Sequence, residues 1–475
     1  MTHPTSSGMV TPLFIETLSH LERKLDSRYP PWLNTLRHAA FSSVLEEGFP
    51  TSKDEEWRYT RLSPILSIPF QPSQSGMDHF FSCDAITQLA GNFSSTRLVF
   101  VNGHFIPSLS SQGVLKSGVR IESLGSILSQ TTTAATDKAD ALSTRPLKAR
   151  WKEAPSEKED VESPLSRLLS ESIHHRERHS AFTSLNLALT EDGAFIYIPP
   201  DTTLEEPIHL VFLSDTGTPS VSNPRSVILA GANSQATIIE VYTGILDHLY
   251  FTNAVTDILL EEGAKIEHYK VQNETCKSFH VALLNVRQER ESQFSSHLTA
   301  IGGTMGRHEV RVALTGENAA TTLNGLYLPQ SGQHSDNPVV VTHHAPRCRS
   351  KQFYKGVVDG EGRGGFYGRI IVRQDAIKTD AQQSNKVLLL SESAQADTRP
   401  RLEILADDVQ CAHGATVGQL DEEALFYLRS RGIPLNNARG ILTYAFVSEI
   451  LHLVRVQPLQ SYLTELVLSR FSVTV

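Results

Sequence analysis

The chain has 475 residues, with 43 basic and 52 acidic side chains and a net charge of −9. That length exceeds one compact core and predicts two or three domains. The acidic balance argues against a general nucleic-acid or anionic-membrane surface, and no stretch approaches the roughly 20 apolar residues of a membrane span.

The N-terminus, MTHPTSSGMVTPLFIETLSH, has no basic segment followed by an apolar one and soon carries Glu16, Glu22 and Asp26. This predicts neither a secretory signal nor a transit peptide. In TPLFIETLSHLERKL, Leu13, Phe14, Leu18, Leu21 and Leu25 recur at helical steps. Pro30–Pro31 interrupts the pattern, and WLNTLRHAAFSSVLEEG restarts it with Leu33, Leu36, Ala40 and Val44 on one stripe. Gly48 is placed as the stop. The motif KDEEWRYT follows, and residues 1–62 read as an N-terminal helical region.

Residues 63–180 read as a mixed region. It contains a stretch at about 129–162 that is rich in Thr, Ala, Lys and Glu and predicts a surface loop or linker. From Ala181 short apolar runs alternate with turn residues, and no helix pattern interrupts them. HEVRVALTG places Val310, Val312 and Leu314 on one face of a strand, and Leu402 and Ile404 flank Glu403. AGANS, EEGAK, IGGTM, TGENA and DGEGRGG mark turns. The pattern fits hairpins, a sandwich or a solenoid; repeated Gly-Ala corners favour coils stacked along an axis, over 181–418. Residues 419–475 are helical again. Asp421 is a cap, Gly432 and Pro434 end the first helix, and Ala438, Ile441, Leu442, Ala445, Phe446, Ile450 and Leu453 form the stripe of the next. A third helix is expected over Ser461–Arg470.

Four cysteines (Cys83, Cys276, Cys348 and Cys411) lie far apart with no CxxC pair, which suits a reducing compartment. Cys411 and His413 stand two residues apart in DDVQCAHGATVGQLDEEALFYLRSRGI. On a strand both point to one face, so both reach one metal. A zinc site needs three or four ligands, so the rest must come from elsewhere; the alternative is a buried thiol and a hydrogen-bonded imidazole at a strand end. His343 and His344 are adjacent and face opposite ways on a strand, which with Cys348 predicts strand and turn residues. DGEGRGGFYGR reads as a hairpin or a solenoid corner. The chain has no GxxxxGK[ST], no GxSxG and no HExxH, so an enzyme acting alone has little support.

The long C-terminal stretch resembles the signature of the SufB/SufD family of iron–sulfur cluster assembly proteins. TDAQQSNKVLLLSESAQADTRPRLEILADDV, HHAPRCRSKQFYKGVVDGEGRGGFYGRIIV, AFTSLNLALTEDGAFIYIPP and KDEEWRYT extend the resemblance over most of the chain. Within the family the SufD form is favoured. Ser384 stands where SufB-like chains carry a cysteine, and Ala412–His413–Gly414 replaces an acidic–His–acidic run.

The resemblance implies a mainly β fold, a right-handed parallel β-helix core flanked by N-terminal and C-terminal helical regions. It implies a non-catalytic scaffold that pairs with a SufB-like subunit through the β-helix ends. It also implies docking of a SufC-like ABC ATPase on the C-terminal helices, with Phe426, Tyr427 and Arg429 as contacts. His413 and Cys411 become candidates for a transient iron or cluster-assembly interface, with no stably bound cofactor. A cytoplasmic location is expected. The competing readings are the SufB-like cluster-building role itself, which Ser384 opposes, and a polysaccharide-active β-helix enzyme, which the helical ends and the missing signal oppose.

Overall fold

The computed structural model of the protein describes residues 29–73, 82–130, 165, 169 and 180–471. The expected helix over Thr11–Leu25 lies outside the described residues, as does the loop expected at about 129–162 except for Ser129 and Gln130, which end the helix Leu124–Gln130.

The core is a parallel β-solenoid of about eight turns. Two sheets face each other across a lumen. The first runs, from the C-terminal end, through Gln395–Ile404, Arg363–Val372, His334–His343, Met305–Leu314, Phe279–Gln288, Tyr250–Leu260, Arg225–Ala230, Ala194–Ile198 and Arg120–Ser123. The second runs through Gln410–Gln419, Asp380–Leu389, Arg349–Val358, Ala320–Tyr327, Gln293–Gly302, Lys265–Glu274, Gln235–Gly244, Ile208–Ser214, Thr96–Val101 and His104–Phe105. Lys265 pairs with Gln293, Gln293 with Ala320, Ala320 with Arg349, Arg349 with Asp380 and Asp380 with Gln410. The step is roughly 30 residues per turn, ordinary for stacked repeats.

One corner is built the same way on six successive turns. Two residues before each of six strands of the second sheet, Asn233, Gly263, Glu291, Asn318, Arg347 and Lys378 take φ between 56° and 71°. This left-handed conformation turns each corner's N–H along the axis. Asn233 donates to the Glu262 carbonyl, Gly263 to Arg290, Glu291 to Glu317, Asn318 to Pro346, Arg347 to Ile377 and Lys378 to Asp408, at 2.6 to 3.2 Å. The ladder satisfies backbone groups that a tight corner would otherwise strand. Only one of the six is glycine, so the repeat is weakly written in the sequence.

Helices cover both outer faces. Helix α1 (Pro31–Glu47) packs with α2 (Ala181–Leu189) on the first sheet. Leu33, Ala40 and Val44 are buried as the stripe predicts, Leu36 is half-buried, and Gly48 ends α1 at φ 70°. On the second sheet, α4 (Leu435–Leu451) and α5 (Gln457–Arg470) bury Val447, Ile450, Leu451, Leu459, Leu463 and Val467 against Tyr269, Val271, Ile301, Leu326, Val357 and Leu388. The short α3 (Glu422–Ser430) precedes them and buries only Leu425.

Two features differ from the expectation. Ala181–Leu189 is a helix, not the first strand-like run, and all nine of its residues are buried. An element buried on every side, with Thr183, Ser184 and Asn186 among its buried residues, has no solvent face to set a helical period. The two sheets also extend upstream of residue 181, through Thr96–Val101 and Arg120–Ser123.

Candidate functional site

At the C-terminal end of the solenoid, among the described residues, Gln395–Ile404 and Gln410–Gln419 each pair with a neighbour on one side only. Each offers a ten-residue edge, and nine of the ten residues of the last strand are exposed. The unpaired N–H and C=O groups of such an edge template a further strand.

Register fixes which side chains line the open mouth. On the last strand Cys411 lies over Ala381 and His413 over Gln383, and both residues beneath are buried in the lumen. Cys411 and His413 therefore share the inward face, as their spacing predicts. Cys411 is half-buried against Ile370, Val372, Ala376, Ala381 and Ala406. Burial, with the Asp380 carboxylate beside it, pushes its thiol above the ordinary range. At neutral pH it is a thiol, and a metal or a neighbouring cation is needed to draw off the proton. His413 is exposed. Among the described residues no three His, Cys, Asp or Glu side chains converge to hold a metal ion. The chain thus presents two potential ligands of an incomplete set.

The other candidates fall elsewhere. His343 is buried, with Nε2 2.9 Å from the Ser350 hydroxyl, and burial lowers its pKa to about 4. His344 lies just past the strand and is exposed. Cys348 is buried, its thiol donating to the Gly316 carbonyl at 3.2 Å, and burial pushes its pKa up to about 11. The glycine-rich segment is a corner and a strand. A Cβ on Gly368 would stand 1.6 Å from the Gln383 amide, so a larger residue there would displace that side chain. Asp421 caps α3, its Oδ1 accepting from the Glu423 and Ala424 amides at 2.9 and 3.1 Å. Phe426, Tyr427 and Arg429 all face solvent, Phe426 at 75 % exposure.

One feature went unforeseen. The middle of the lumen is polar. Lys265–Glu274 points His268, Lys270, Gln272 and Glu274 inward, while Tyr269 and Val271 face outward under the C-terminal helices. Glu274 Oε2 lies 3.0 Å from His280 Nδ1, and Glu240 accepts from Thr256 at 2.8 Å with His268 Nε2 at 3.7 Å. The His280 and His308 rings are 5.1 Å apart. Burial raises Glu274 to about 7 and lowers Lys270 to about 8. Burial also holds both of these histidines well below their ordinary value, and so uncharged. The signal was the alternation itself: with both faces covered, it says which residues share a face but not which face is inside.

Residues 212–446 match the model for the SUF system FeS cluster assembly SufBD core domain, and residues 11–139 match the SufBD protein N-terminal region. The chain belongs to the SufBD family. It is 31 % identical over 416 residues to the iron–sulfur cluster assembly protein SufD of Escherichia coli, covering 87 % of each chain. It is 30 % identical over 436 residues to an iron–sulfur cluster assembly SufBD family protein of Synechocystis, covering 89 % of this chain and 87 % of that one. It is 29 % identical over 430 residues to the protein ABCI7, chloroplastic, of Arabidopsis thaliana, covering 88 % of this chain and 82 % of that one. Membership places the chain in iron–sulfur cluster assembly and sets aside the polysaccharide-active reading. Among the described residues no helix is long and apolar enough to cross a membrane.

Proposed function

We propose that this chain is the SufD-type, non-catalytic scaffold subunit of a SufBCD-type complex. Its open solenoid end pairs with a SufB-like subunit, and its C-terminal helices dock a SufC-like ABC ATPase. The observation that carries the reading is the open end. Two free ten-residue edges flank a thiol and an imidazole that form half of a ligand set. A strand from a partner satisfies the edges, and side chains from that partner complete the set.

On this reading iron or a nascent cluster is cargo rather than a resident cofactor. His413, exposed at the mouth, is the first ligand, because a neutral imidazole needs no ionisation to bind a divalent metal. Cys411 is second, since its proton must first leave. Ser384 is half-buried and faces away from the lumen, opposite Gly414, and offers no thiolate for cluster building. Phe426, Tyr427 and Arg429 form the ATPase contact: two exposed aromatics beside a cation suit an anchor in a partner's pocket. A cytoplasmic or equivalent reducing compartment fits the four free cysteines.

The test is H413A in the purified complex. The complex should form while the cluster yield falls severalfold. An unchanged yield would rule out the ligand role. R429E should weaken recovery of the ATPase without affecting the SufB-like partner.

A further inference from the structure

The KDEEWRYT motif has no place in the function above, yet it is tied to the open end. Its segment Asp54–Thr60 crosses the outer face of the first sheet and touches four successive strands. Trp57 is buried against Phe182, ring centroids 5.4 Å apart, and the Arg307 guanidinium lies 3.7 Å over its ring. Arg307 also donates to the Glu56 carbonyl at 3.1 Å, and Arg311 pairs with Glu56 at 3.2 Å. On the next strand Asp336 accepts from the Thr60 hydroxyl. On the next, Tyr367 stacks with Tyr59 at 6.0 Å and 11°. On the last, Arg399 lies 4.3 Å over the Tyr59 ring and hydrogen-bonds its hydroxyl, and Arg401 pairs with Glu55 at 3.1 Å.

These last contacts differ in weight. The side chains of Glu55 and Arg401 are 76 % and 52 % exposed, and an exposed pair contributes little. Tyr59 is half-buried between Tyr367 and Arg399, so stacking and cation–π attraction act where water is partly excluded. The other free strand is a built-in control. Among the described residues no hydrogen bond, ion pair or ring contact joins Gln410–Gln419 to Asp54–Thr60.

We propose that Asp54–Thr60 is a strap that holds the free strand Gln395–Ile404 in register, with Tyr59 as its positioning residue. An edge ordered in advance removes part of the entropy lost on association. That purpose rests on the reading of the open end as a docking edge; the ordering of the strand does not.

Hydrogen–deuterium exchange on the full chain tests it. In Y59A, the amides of residues 395–404 that bond to 363–372 should exchange about tenfold faster, the factor expected for an aromatic stack with a cation–π contact. Exchange over residues 410–419 should not change. Y59F keeps the ring and should stay near wild type. R399A removes the same contact from the strand side, and gives the answer if Y59A does not fold. Unchanged exchange over 395–404, or an equal rise over 410–419, overturns the strap. The second readout is association with the SufB-like partner, which Y59A should slow severalfold. A loosened strand with wild-type association overturns the docking purpose and leaves the strap. No association in wild type overturns the functional reading alone.

Discussion

At its N-terminal end the solenoid finishes each sheet with a short antiparallel strand: His104–Phe105 on one sheet and Arg120–Ser123 on the other. Ala194–Ile198, Ile208–Ser214 and Arg225–Ala230 behind them are buried along their whole length. At the C-terminal end the sheets stop on two ten-residue parallel strands with, among the described residues, no further strand beyond them and little side-chain burial. The same coil therefore meets the edge problem in two ways. Short, covered edges blunt one end against further pairing, and the other is left as a template.

The largest test of the contrast deletes apolar atoms at each end. Phe182 in α2 is buried against Phe49, Trp57 and Phe251. F182A should cost about 3 to 5 kcal/mol in equilibrium denaturation, the usual range for a buried phenylalanine. Val417, 46 % exposed on the last strand, should cost under about 0.5 kcal/mol on V417A in the isolated chain. Similar losses at the two sites would erase the contrast.

The second prediction concerns the polar lumen between the ends. Glu274 is raised to about 7 by burial, so its stabilising protonation is complete below the ordinary value of 4.5 and is lost as pH rises through about 7. Lys270 is lowered to about 8, so its contribution is complete above 10.5 and is lost as pH falls through about 8. Both signs place the weakest point of the lumen between pH 7 and 8. The acid limb is worth on the order of 3 kcal/mol. E274Q should flatten the fall in denaturation midpoint between about pH 4.5 and 7. An unchanged slope would mean that Glu274 is not the group responsible.

A smaller effect sharpens the open end itself. Lys378 is the last left-handed corner, at φ 60°, and its N–H bonds Asp408 just before the last strand. K378G should raise stability by about 0.5 to 1 kcal/mol, because glycine takes that conformation without a Cβ penalty. A loss of stability would show that the lysine side chain contributes more than its backbone strain costs.

These same residues show what the sequence made legible. The strand over HEVRVALTG was readable because Val310, Val312 and Leu314 alternate with partly exposed Arg311 and Ala313. The C-terminal helices were readable from their helical spacing and from the Asp421 cap, but the buried face was not: Ile441, Ala445 and Leu453 of the expected stripe are exposed, and Thr443 and Val447 are buried with Ala438 and Ile450. Cys411 and His413 were placed on one face by the two-residue period alone, and the register bears that out. The repeat was hard to see because its corner asks for a backbone conformation, and Asn, Gly, Glu, Arg and Lys all supply it here. The inward turn of His268, Lys270, Gln272 and Glu274 was hidden because helices cover the other face. The strap was hidden because its partners lie up to 346 residues away, as between Glu55 and Arg401.

The proposed pairing of a second subunit at the open end can be read out on the chain itself. The most direct measurement is hydrogen–deuterium exchange of this chain, alone and copurified with a SufB-like subunit. The account predicts new protection over residues 395–404 and 410–419, where the free edges lie. Protection confined to the C-terminal helices, with both edges exchanging as in the isolated chain, would contradict it.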